Sequence, residues 1–280
     1  MTIRIVTDST CDLPEAVVTE HGITIVPLYI NFGDQSYLDG FELSRQEFYE
    51  RLPDCDPPPT TAAPGTEMFR QAYEGLAGEG ATEVLSIHIS VSLSAVVDVA
   101  RLAAQETDAV PVTVLDSGQL SLGTGFLVLA AAKAAAEGRS MGDIILMLEE
   151  QALRTHVFAA LDTLEFLRRS GRMSRVMAGL GSVLRIKPLL RMYDGKPTAE
   201  RVRTRDRATK RLISLLSDLV PLERVALVHT HAPDRAEDLR QRVQHLLPEG
   251  EIPSVDITPV IGAHIGPDAV GFACVTARKG

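Results

Sequence analysis

The first half of the chain alternates short apolar runs with longer segments of helical periodicity. The apolar runs, predicted to be strands, lie at residues 3–6, 23–30, 83–89 and 111–115. Helices are predicted between them at about 65–76, up to residue 104, and along an Ala-rich stretch ending near Gly138. This alternation is typical of βαβ units and predicts a parallel sheet with helices on both faces. Ligands of such sheets bind beyond the carboxyl ends of the strands.

Local signals refine these predicted elements. Ser44 followed by Glu47 is a capping-box pattern, which predicts a helix that starts there. Asp12 or Thr10 is predicted to cap the first helix of the chain. Pro27 lies inside the run at 23–30 and indicates an edge strand or a bulge, because proline donates no hydrogen bond to a sheet.

The pattern changes in the second half. Strands are predicted at 158–161, 187–193, 196–203, 224–229, 254–261 and 271–276, with helices at 142–153, 206–219 and 234–246. Asp194-Gly195 is a hairpin-turn signal between two of these strands. We therefore expect an α/β protein of two domains: an N-terminal parallel-sheet domain at 1–155 and a C-terminal mixed-sheet domain at 156–280.

Composition and charge exclude several functional classes. Aromatic residues make up only 5% of the 280 residues and Trp is absent, which disfavours stacking platforms for nucleic-acid bases. The net charge is −9, yet residues 165–211 hold 14 of the 28 Lys and Arg residues and 4 of the 37 Asp and Glu residues. One basic segment on an acidic chain argues against nucleic-acid binding and favours a local site for an anion or an acidic partner.

The cysteines and the longest apolar run indicate the cellular compartment and whether the chain inserts into a membrane. The three cysteines are odd in number and far apart, which disfavours a disulfide framework and indicates a reducing cytoplasm. The longest apolar run, at 123–132, is well short of a membrane span, so we expect no stable membrane insertion.

Short hydroxyl-rich motifs recur where a predicted strand or loop meets a bend. They are TDST at 7–10, PTTAAP at 59–64, SVSLS at 90–94, SGRMS at 170–174 and IGAHIGP at 261–267. With one arginine and one histidine among them, and no cluster of carboxylates or cysteines, they favour the binding of one small anionic group over metal chemistry.

Other constellations are weaker. His229 and His231 with Asp234 nearby resemble a metal site, but a fourth ligand is missing and we predict no metal. The Gly-x-Gly pairs at 123–125 and 179–181 lack the third glycine of a dinucleotide site and are interpreted as close helix packing. Arginines at 201, 203, 205 and 207 would share one side of an extended segment, which is a solvated face or a docking surface for a partner kinase.

Taken in order, the motifs resemble the DegV family of bacterial fatty-acid-binding proteins over nearly the whole chain. The matching segments are Thr-Asp-Ser at 7–9, Thr-Thr-Ala-Ala-Pro at 60–64, Leu-Ser at 93–94, Asp-Ser at 116–117, Leu-Glu-Phe-Leu at 164–167, Gly-Arg-Met-Ser at 171–174, Ile-Lys-Pro at 186–188, and Gly262, His264 and Gly266-Pro267. Any single match is weak, whereas so many in the right order are specific.

The resemblance implies a long-chain fatty acid such as palmitate enclosed between two α/β domains, with its carboxylate held by Thr61 and Ser94. It places Arg172 and His264 near the head group, with Ser9 of the opening motif as further support. It also implies a carrier without catalytic residues or a cofactor of its own. A separate ATP-dependent fatty acid kinase would phosphorylate the bound acid for phospholipid metabolism.

The chain departs from the family pattern at three places. Ala62 stands where the family has Ser, Ala95-Val96 replaces Gly-Thr after Ser94, and Asp268 replaces a Gly. The first change removes one possible donor to the head group. The last adds negative charge close to the expected site of phosphoryl transfer.

Other interpretations remain open on the residues alone. Thr61 is also a typical turn or helix cap, and Ser94 a typical helix-start residue. The alternative function is a serine-dependent hydrolase or acyltransferase acting on lipid esters, although the chain has no G-x-S-x-G elbow. A transcriptional or nucleotide-binding regulator is a third possibility, favoured only by the basic segment.

Overall fold

A computed structural model describes residues 2–172 and 186–278. Its strands are β1 (Ile3–Asp8), β2 (Thr24–Val26), β3 (Tyr29–Phe32), β4 (Gln35–Leu38), β5 (Thr60–Ala62), β6 (Glu83–His88), β7 (Val112–Asp116), β8 (Thr155–Ala160), β9 (Lys187–Tyr193), β10 (Lys196–Val202), β11 (Leu222–His229), β12 (Ser254–Asp256) and β13 (Val270–Thr276). Its α-helices are α1 (Glu15–Glu20), α2 (Arg45–Arg51), α3 (Thr66–Gly78), α4 (Val96–Gln105), α5 (Leu122–Ala136), α6 (Met141–Ala152), α7 (Glu165–Arg169), α8 (Arg205–Ser217), α9 (Pro233–Val243) and α10 (Pro259–Ile265).

Two main sheets carry the fold. The first is parallel throughout, in the order β2-β1-β6-β7. The second has the order β10-β9-β8-β13-β11-β12 and is mixed, because β11 and β12 pair in parallel while its other neighbours pair antiparallel. The predicted α/β class, with a parallel sheet followed by a mixed sheet, is therefore confirmed. The division of the chain at residue 155 stays a prediction.

A small third sheet, in the order β4-β3-β5, was not predicted. The expected strand at 23–30 is wrong as a single element, because the chain leaves the first sheet after Val26 and joins the third sheet at Tyr29. Pro27 lies at this switch, where its missing amide hydrogen costs no ladder hydrogen bond. The same small sheet contains β5 and so positions Thr61, which pairs with Ile30.

Two predicted helix and strand boundaries need correction. The strand expected at 254–261 ends at Asp256, and α10 follows it with Pro259 in its first turn. His264 therefore lies on a helix and not in a turn. Asp12 does not cap α1, whose N-cap residue is Pro14, and has a left-handed backbone with φ 56°. The predicted cap of α2 is confirmed, since Ser44 Oγ accepts the Glu47 amide at 3.2 Å.

Helix α5 joins the two main sheets into one core. It is buried along most of its length and packs against β1 and β8. Gly123 and Gly125 permit this contact: a Cβ at Gly123 would lie 2.6 Å from Val157 Cγ2, and one at Gly125 would lie 2.5 Å from the Cys11 carbonyl oxygen. The interpretation of this glycine pair as close helix packing is thus confirmed. The second pair, at 179–181, lies outside the described residues.

Two further expectations concern the cysteines and the membrane. Cys11, Cys55 and Cys274 are free thiols. Across residues 2–172 and 186–278, no helix is both long and apolar enough to cross a bilayer.

Two glycine substitutions should shift stability in opposite directions. Gly271 lies in the middle of the second sheet, and a Cβ there would collide with the Phe158 carbonyl oxygen and with Ala159. Gly271→Ala should therefore lower the free energy of unfolding by about 3 kcal/mol or more, as overpacked sites do. Gly75→Ala is the matched control: it lies in α3 with open space around it and should raise stability by up to about 1 kcal/mol. Urea denaturation of both variants measures the difference, and equal midpoints would contradict the packing.

Candidate functional site

A cavity lies in the core between the small third sheet, the N-terminus of α5 and the second main sheet. The empty space inside it amounts to about 1080 Å³, part of which is open to solvent. Most of its lining is aliphatic, including Leu28, Leu93, Leu120, Val157, Met192 and Ile261. Its polar lining residues include Thr61, Ser94, Ser121, Arg172, Arg191 and His264. A largely apolar pocket with a few polar groups is the usual form of a small-molecule site.

Thr61 and His264 form a pair at one part of this lining. Thr61 is the central residue of β5 and is the least exposed of its three residues, so its side chain faces inward. Its Oγ1 lies 2.9 Å from Nε2 of His264 on α10. Residues 203 positions apart in the sequence are thereby brought into hydrogen-bond contact. Both are predicted site residues, and their role at a ligand stays a prediction.

The His264 imidazole is neutral at pH 7. Burial, together with the nearby positive charge of Arg172, lowers its pKa to about 4. Among the described residues, its Nδ1 atom is buried without a hydrogen-bond partner. A neutral imidazole carries one N–H donor and one lone pair, and either can serve the Thr61 hydroxyl or a bound ligand.

Ser94 lies in a turn that also faces the cavity. The backbone amides of Leu93 and Ser94 donate to the Ser90 carbonyl at 2.9 and 3.1 Å, which closes the turn just before α4. Helix α4 begins after Ala95 without a side-chain cap, so Ser94 does not act as the helix cap that its residue type favours.

Arg172 lies just beyond α7 and lines the same cavity. Its Nη1 donates to the Ser170 carbonyl at 2.8 Å, which fixes part of the guanidinium. Since Arg172 is close enough to act on the pKa of His264, these two residues and Thr61 form one polar region. Met173 and Ser174 of the same motif lie outside the described residues.

Ser9 is placed differently from the other four predicted site residues. It is not part of the cavity lining. Its hydroxyl accepts the amide of Leu28 at 3.2 Å, and Leu28 does line the cavity. Ser9 also hydrogen-bonds the Asp39 carboxylate. The structure therefore connects Ser9 to the wall of the cavity through Leu28.

The Asp268 substitution is compensated locally. Its backbone has φ 64°, a conformation that Asp tolerates better than most residues, which fits a position where the family has Gly. Its carboxylate lies 3.7 Å from the Arg205 guanidinium, and Arg235 donates to its carbonyl oxygen. The extra negative charge therefore has a cationic neighbour.

Ser121 is a lining residue that the sequence motifs missed. Its Oγ donates to Asp12 Oδ2 at 2.6 Å, and its backbone has φ 51°. Asp12 Oδ1 in turn accepts the Thr258 amide at 2.8 Å and lies 3.2 Å from Arg45 Nη2. Burial raises the pKa of Asp12 to about 6 despite these partners. The one available signal was a serine just before the Ala-rich helix.

A Ser–His–Asp arrangement exists, but not in the cavity. Ser86 Oγ lies 2.6 Å from His88 Nε2, and His88 Nδ1 lies 3.0 Å from Asp8 Oδ2. These are the spacings of a serine nucleophile with its base. However, all three side chains are fully buried, and none of them lines the cavity. A substrate ester has no path to Ser86 in this arrangement.

The structure also shows where the residues of the predicted histidine pair and of the arginine row lie. His229 Nδ1 lies 3.4 Å from Asp256 Oδ1, while the His231 ring stacks on Tyr49 with centroids 5.7 Å apart. No group of three metal-ligating side chains is found in the described part of the chain. The expected extended arginine row is wrong beyond residue 203, because α8 begins at Arg205, which pairs with Asp162 at 2.6 Å.

The sequence matches one family profile and related proteins over nearly its whole length. A sequence profile described as "Uncharacterised protein, DegV family" matches residues 2–277. A DegV domain-containing protein of Streptomyces coelicolor is 37% identical over 274 residues, covering 96% of each chain. Another, from Deinococcus radiodurans, is 39% identical over 277 residues and covers 98% of each.

Solved structures show the same likeness in three dimensions. A DegV family protein of Thermus thermophilus, described by its fatty acid binding, superposes with a TM-score of 0.88 at 34% identity, covering 99% of this chain and 100% of that one. DegV of Bacillus subtilis, described as a fatty acid binding protein, superposes with a TM-score of 0.90 at 31% identity and the same coverage.

The low pKa of His264 predicts a specific pH dependence of stability. The folded protein resists protonation until about pH 4, whereas an unfolded chain takes up the proton near pH 6.5. His264 therefore does not lower the free energy of unfolding above pH 6.5, but lowers it as the pH falls toward 4, by about 3 kcal/mol. His264→Gln should remove this loss, so the stability difference from wild type should change across that window. Denaturation between pH 4 and 7 measures it, with His245→Gln, which removes an exposed imidazole, as control. A constant difference would contradict a neutral, buried His264.

Proposed function

The chain belongs to the DegV family, and from its cavity we propose that it binds one long-chain fatty acid as a carrier. The observation that carries the proposal is the aliphatic cavity whose lining includes the Thr61–His264 pair, Ser94 and Arg172. Relatives with at least 30% identity and the same fold are described as fatty-acid-binding proteins, which supports it.

The energetics favour an acyl chain as the occupant. Each buried CH₂ contributes about 0.8 kcal/mol, so a chain of palmitate length gains roughly 10 kcal/mol before the costs of ordering. Since the carboxylate leaves water as the tail enters, it requires charge-assisted hydrogen bonds. Hydroxyl donors at Thr61 and Ser94 supply them without a full counter-ion.

The head group is placed at the polar region of the cavity. Thr61 and Ser94 donate to the carboxylate, and the neutral His264 orients the Thr61 hydroxyl through their 2.9 Å contact. In this assignment Arg172 lies close by but does not hold the carboxylate, and Ser9 acts indirectly by fixing the backbone of Leu28. One face of the carboxylate is thus left without a protein donor among these residues.

This incomplete coordination suits a carrier that presents its cargo to a cytoplasmic, ATP-dependent kinase. In that reaction a carboxylate oxygen attacks the γ-phosphorus, an O–P bond forms, and ADP leaves as the bond to its oxygen breaks. Arg172 would stabilise the charge on the transferring group. In this assignment the chain catalyses no reaction without the kinase and has no cofactor of its own, and the acyl phosphate passes to lipid synthesis.

The bound lipid is tested directly by extraction. The purified protein is treated with organic solvent and analysed by mass spectrometry, and we expect close to one equivalent of fatty acid. Thr61→Ala with Ser94→Ala should weaken binding by at least about 100-fold, because each hydrogen bond to a charged group contributes about 1.5–3 kcal/mol. Fluorescent fatty acid displacement measures the affinity.

Thr60→Ala is the matched control for this pair. Thr60 lies next to Thr61 on β5 but is exposed and outside the cavity lining, so its removal should leave affinity unchanged. Retention of wild-type affinity by the double variant would exclude Thr61 and Ser94 from the head-group site. Turnover of lipid esters by the protein without a kinase would favour the hydrolase instead.

Substitution of Arg172 should affect phosphorylation of the bound acid much more than its binding. Arg172→Ala is expected to change fatty acid affinity less than threefold but to lower acyl-phosphate formation by a cognate kinase at least tenfold, as loss of a transition-state contact does. Arg168→Ala removes an arginine of α7 that is paired with Glu165 and does not line the cavity, and serves as control. Equal losses of binding and phosphorylation would contradict this division of roles.

A further inference from the structure

Asp8 is a buried charge at the point where the first sheet meets the cavity wall. It is the last residue of β1, and His88 is the last residue of the neighbouring parallel strand β6. Asp8 is fully buried and does not line the cavity. An ionised carboxylate without access to water requires a purpose-built set of donors.

That set of donors is complete. Oδ2 of Asp8 accepts from His88 Nδ1 at 3.0 Å and from the backbone amide of Ile89 at 3.1 Å. Its Oδ1 accepts the Thr10 amide at 3.0 Å and the Thr10 hydroxyl. Burial by itself raises the pKa of Asp8, but the His88 contact and the other hydrogen bonds outweigh it and hold the pKa below the ordinary value. Asp8 is therefore an anion that fixes three neighbours at once.

His88 is itself held from its other side. Since Asp8 can only accept, Nδ1 of His88 carries the shared proton. Its Nε2 lies 2.6 Å from Ser86 Oγ, and Ser86 Oγ lies 2.9 Å from the Tyr73 hydroxyl. The relay from Tyr73 to Asp8 is therefore a chain of satisfied buried groups, and Asp8 is its end nearest the cavity.

The Ile89 amide connects this relay to Ser94. Ile89 lines the cavity, and the next residue, Ser90, has its amide bonded to the Gln119 carbonyl at 2.9 Å. The Ser90 carbonyl accepts both the Leu93 and Ser94 amides, and Ser90 Oγ accepts the Ser92 amide at 3.3 Å. Hydrogen bonds therefore restrain the backbone at most positions between Ile89, which the Asp8 carboxylate holds, and Ser94.

We infer that Asp8 is a positioning residue for Ser94: its carboxylate fixes the Ile89 amide and, through the turn at 90–94, the direction of the Ser94 hydroxyl toward the cavity. The hydrogen bonds of Ser86 and His88 keep Asp8 ionised and oriented. Their arrangement resembles a catalytic Ser–His–Asp set, but here it has a structural role. The identification of a fatty acid carboxylate as the ligand of Ser94 rests on the proposed function, whereas the positioning of Ser94 by Asp8 does not.

The first test measures the turn without any ligand. Asp8→Asn keeps the side-chain size but leaves one neutral acceptor oxygen where the carboxylate offers two charged ones, so the hydrogen bonds from the Ile89 amide and His88 Nδ1 are weakened in either orientation of the new amide. Hydrogen exchange of the amides at 89–94 should accelerate about tenfold relative to wild type. Tyr73→Phe is the matched control, since it removes a hydrogen bond from the far end of the same relay and should leave exchange at 89–94 unchanged. Equal acceleration in both variants, or in neither, would overturn the inference.

The second test measures coupling to Ser94 through fatty acid affinity. Asp8→Asn should weaken binding about tenfold in the wild-type background but hardly at all when Ser94 is already alanine. In a Thr61→Ala background, the same substitution should retain its full effect, because Thr61 is held by β5. Additive losses with Ser94→Ala would show a general structural role and would overturn the positioning role.

These outcomes separate the two hypotheses. If the wild-type protein binds no fatty acid, the proposed function fails, and the exchange experiment still decides the positioning role of Asp8. If Asp8→Asn does not fold, Ser90→Ala loosens the same turn by removing the Oγ that accepts the Ser92 amide. The loss of fatty acid affinity caused by Ser90→Ala should be about threefold larger in the wild-type background than in the Ser94→Ala background. Hydrogen exchange of the amides at 91–94 should also be faster than in the wild type. Absence of both effects would overturn the inference.

Discussion

The site depends on the close contact of α5 with both main sheets. At Gly123 and Gly125 the helix approaches Val157 and the Cys11 carbonyl so closely that a methyl group would not fit. This contact places the N-terminus of α5, with Ser121, between the end of the parallel sheet and the start of the mixed one. Because packed interiors leave few voids, a cavity of this kind persists only where the surrounding elements are held apart by their own contacts.

The return of the chain at α10 supplies those contacts and completes the site. Just before α10, Thr258 donates its amide to Asp12 and its hydroxyl to Asp39, and Tyr49 donates to the Ile257 carbonyl at 2.8 Å. Burial raises the pKa of Asp39, as of Asp12, to about 6. Both carboxyls are hydrogen-bonded, and the Arg45 guanidinium lies 3.2 Å from Asp12. The consequence is that His264, one turn further along α10, faces Thr61 in a fixed geometry.

Much of this was predictable from the sequence, for identifiable reasons. The alternation of apolar runs depends on local burial, so the parallel sheet, the hairpin at Asp194 and the capped start of α2 were all found. The switch of sheet at Pro27, the short strand at Thr61 and the helix containing His264 depend on partners more than 200 residues away or on edges that local patterns do not encode. Ser121 was missed because its partner, Asp12, lies 109 positions away in the sequence.

Two pairs in this protein look like a nucleophile and its base, and the surroundings of each differ from those of a catalytic pair. Ser86 and His88 have the necessary acid, Asp8, but are sealed from any substrate. Thr61 and His264 face the cavity, yet in the described part of the chain no carboxylate orients His264, and burial with the Arg172 charge lowers its pKa to about 4. A general base works best when its pKa is near the ambient pH, so His264 is a poor proton acceptor at neutrality. What remains for a neutral imidazole beside a hydroxyl is hydrogen bonding, which is what an anionic head group requires when its tail has drawn it out of water.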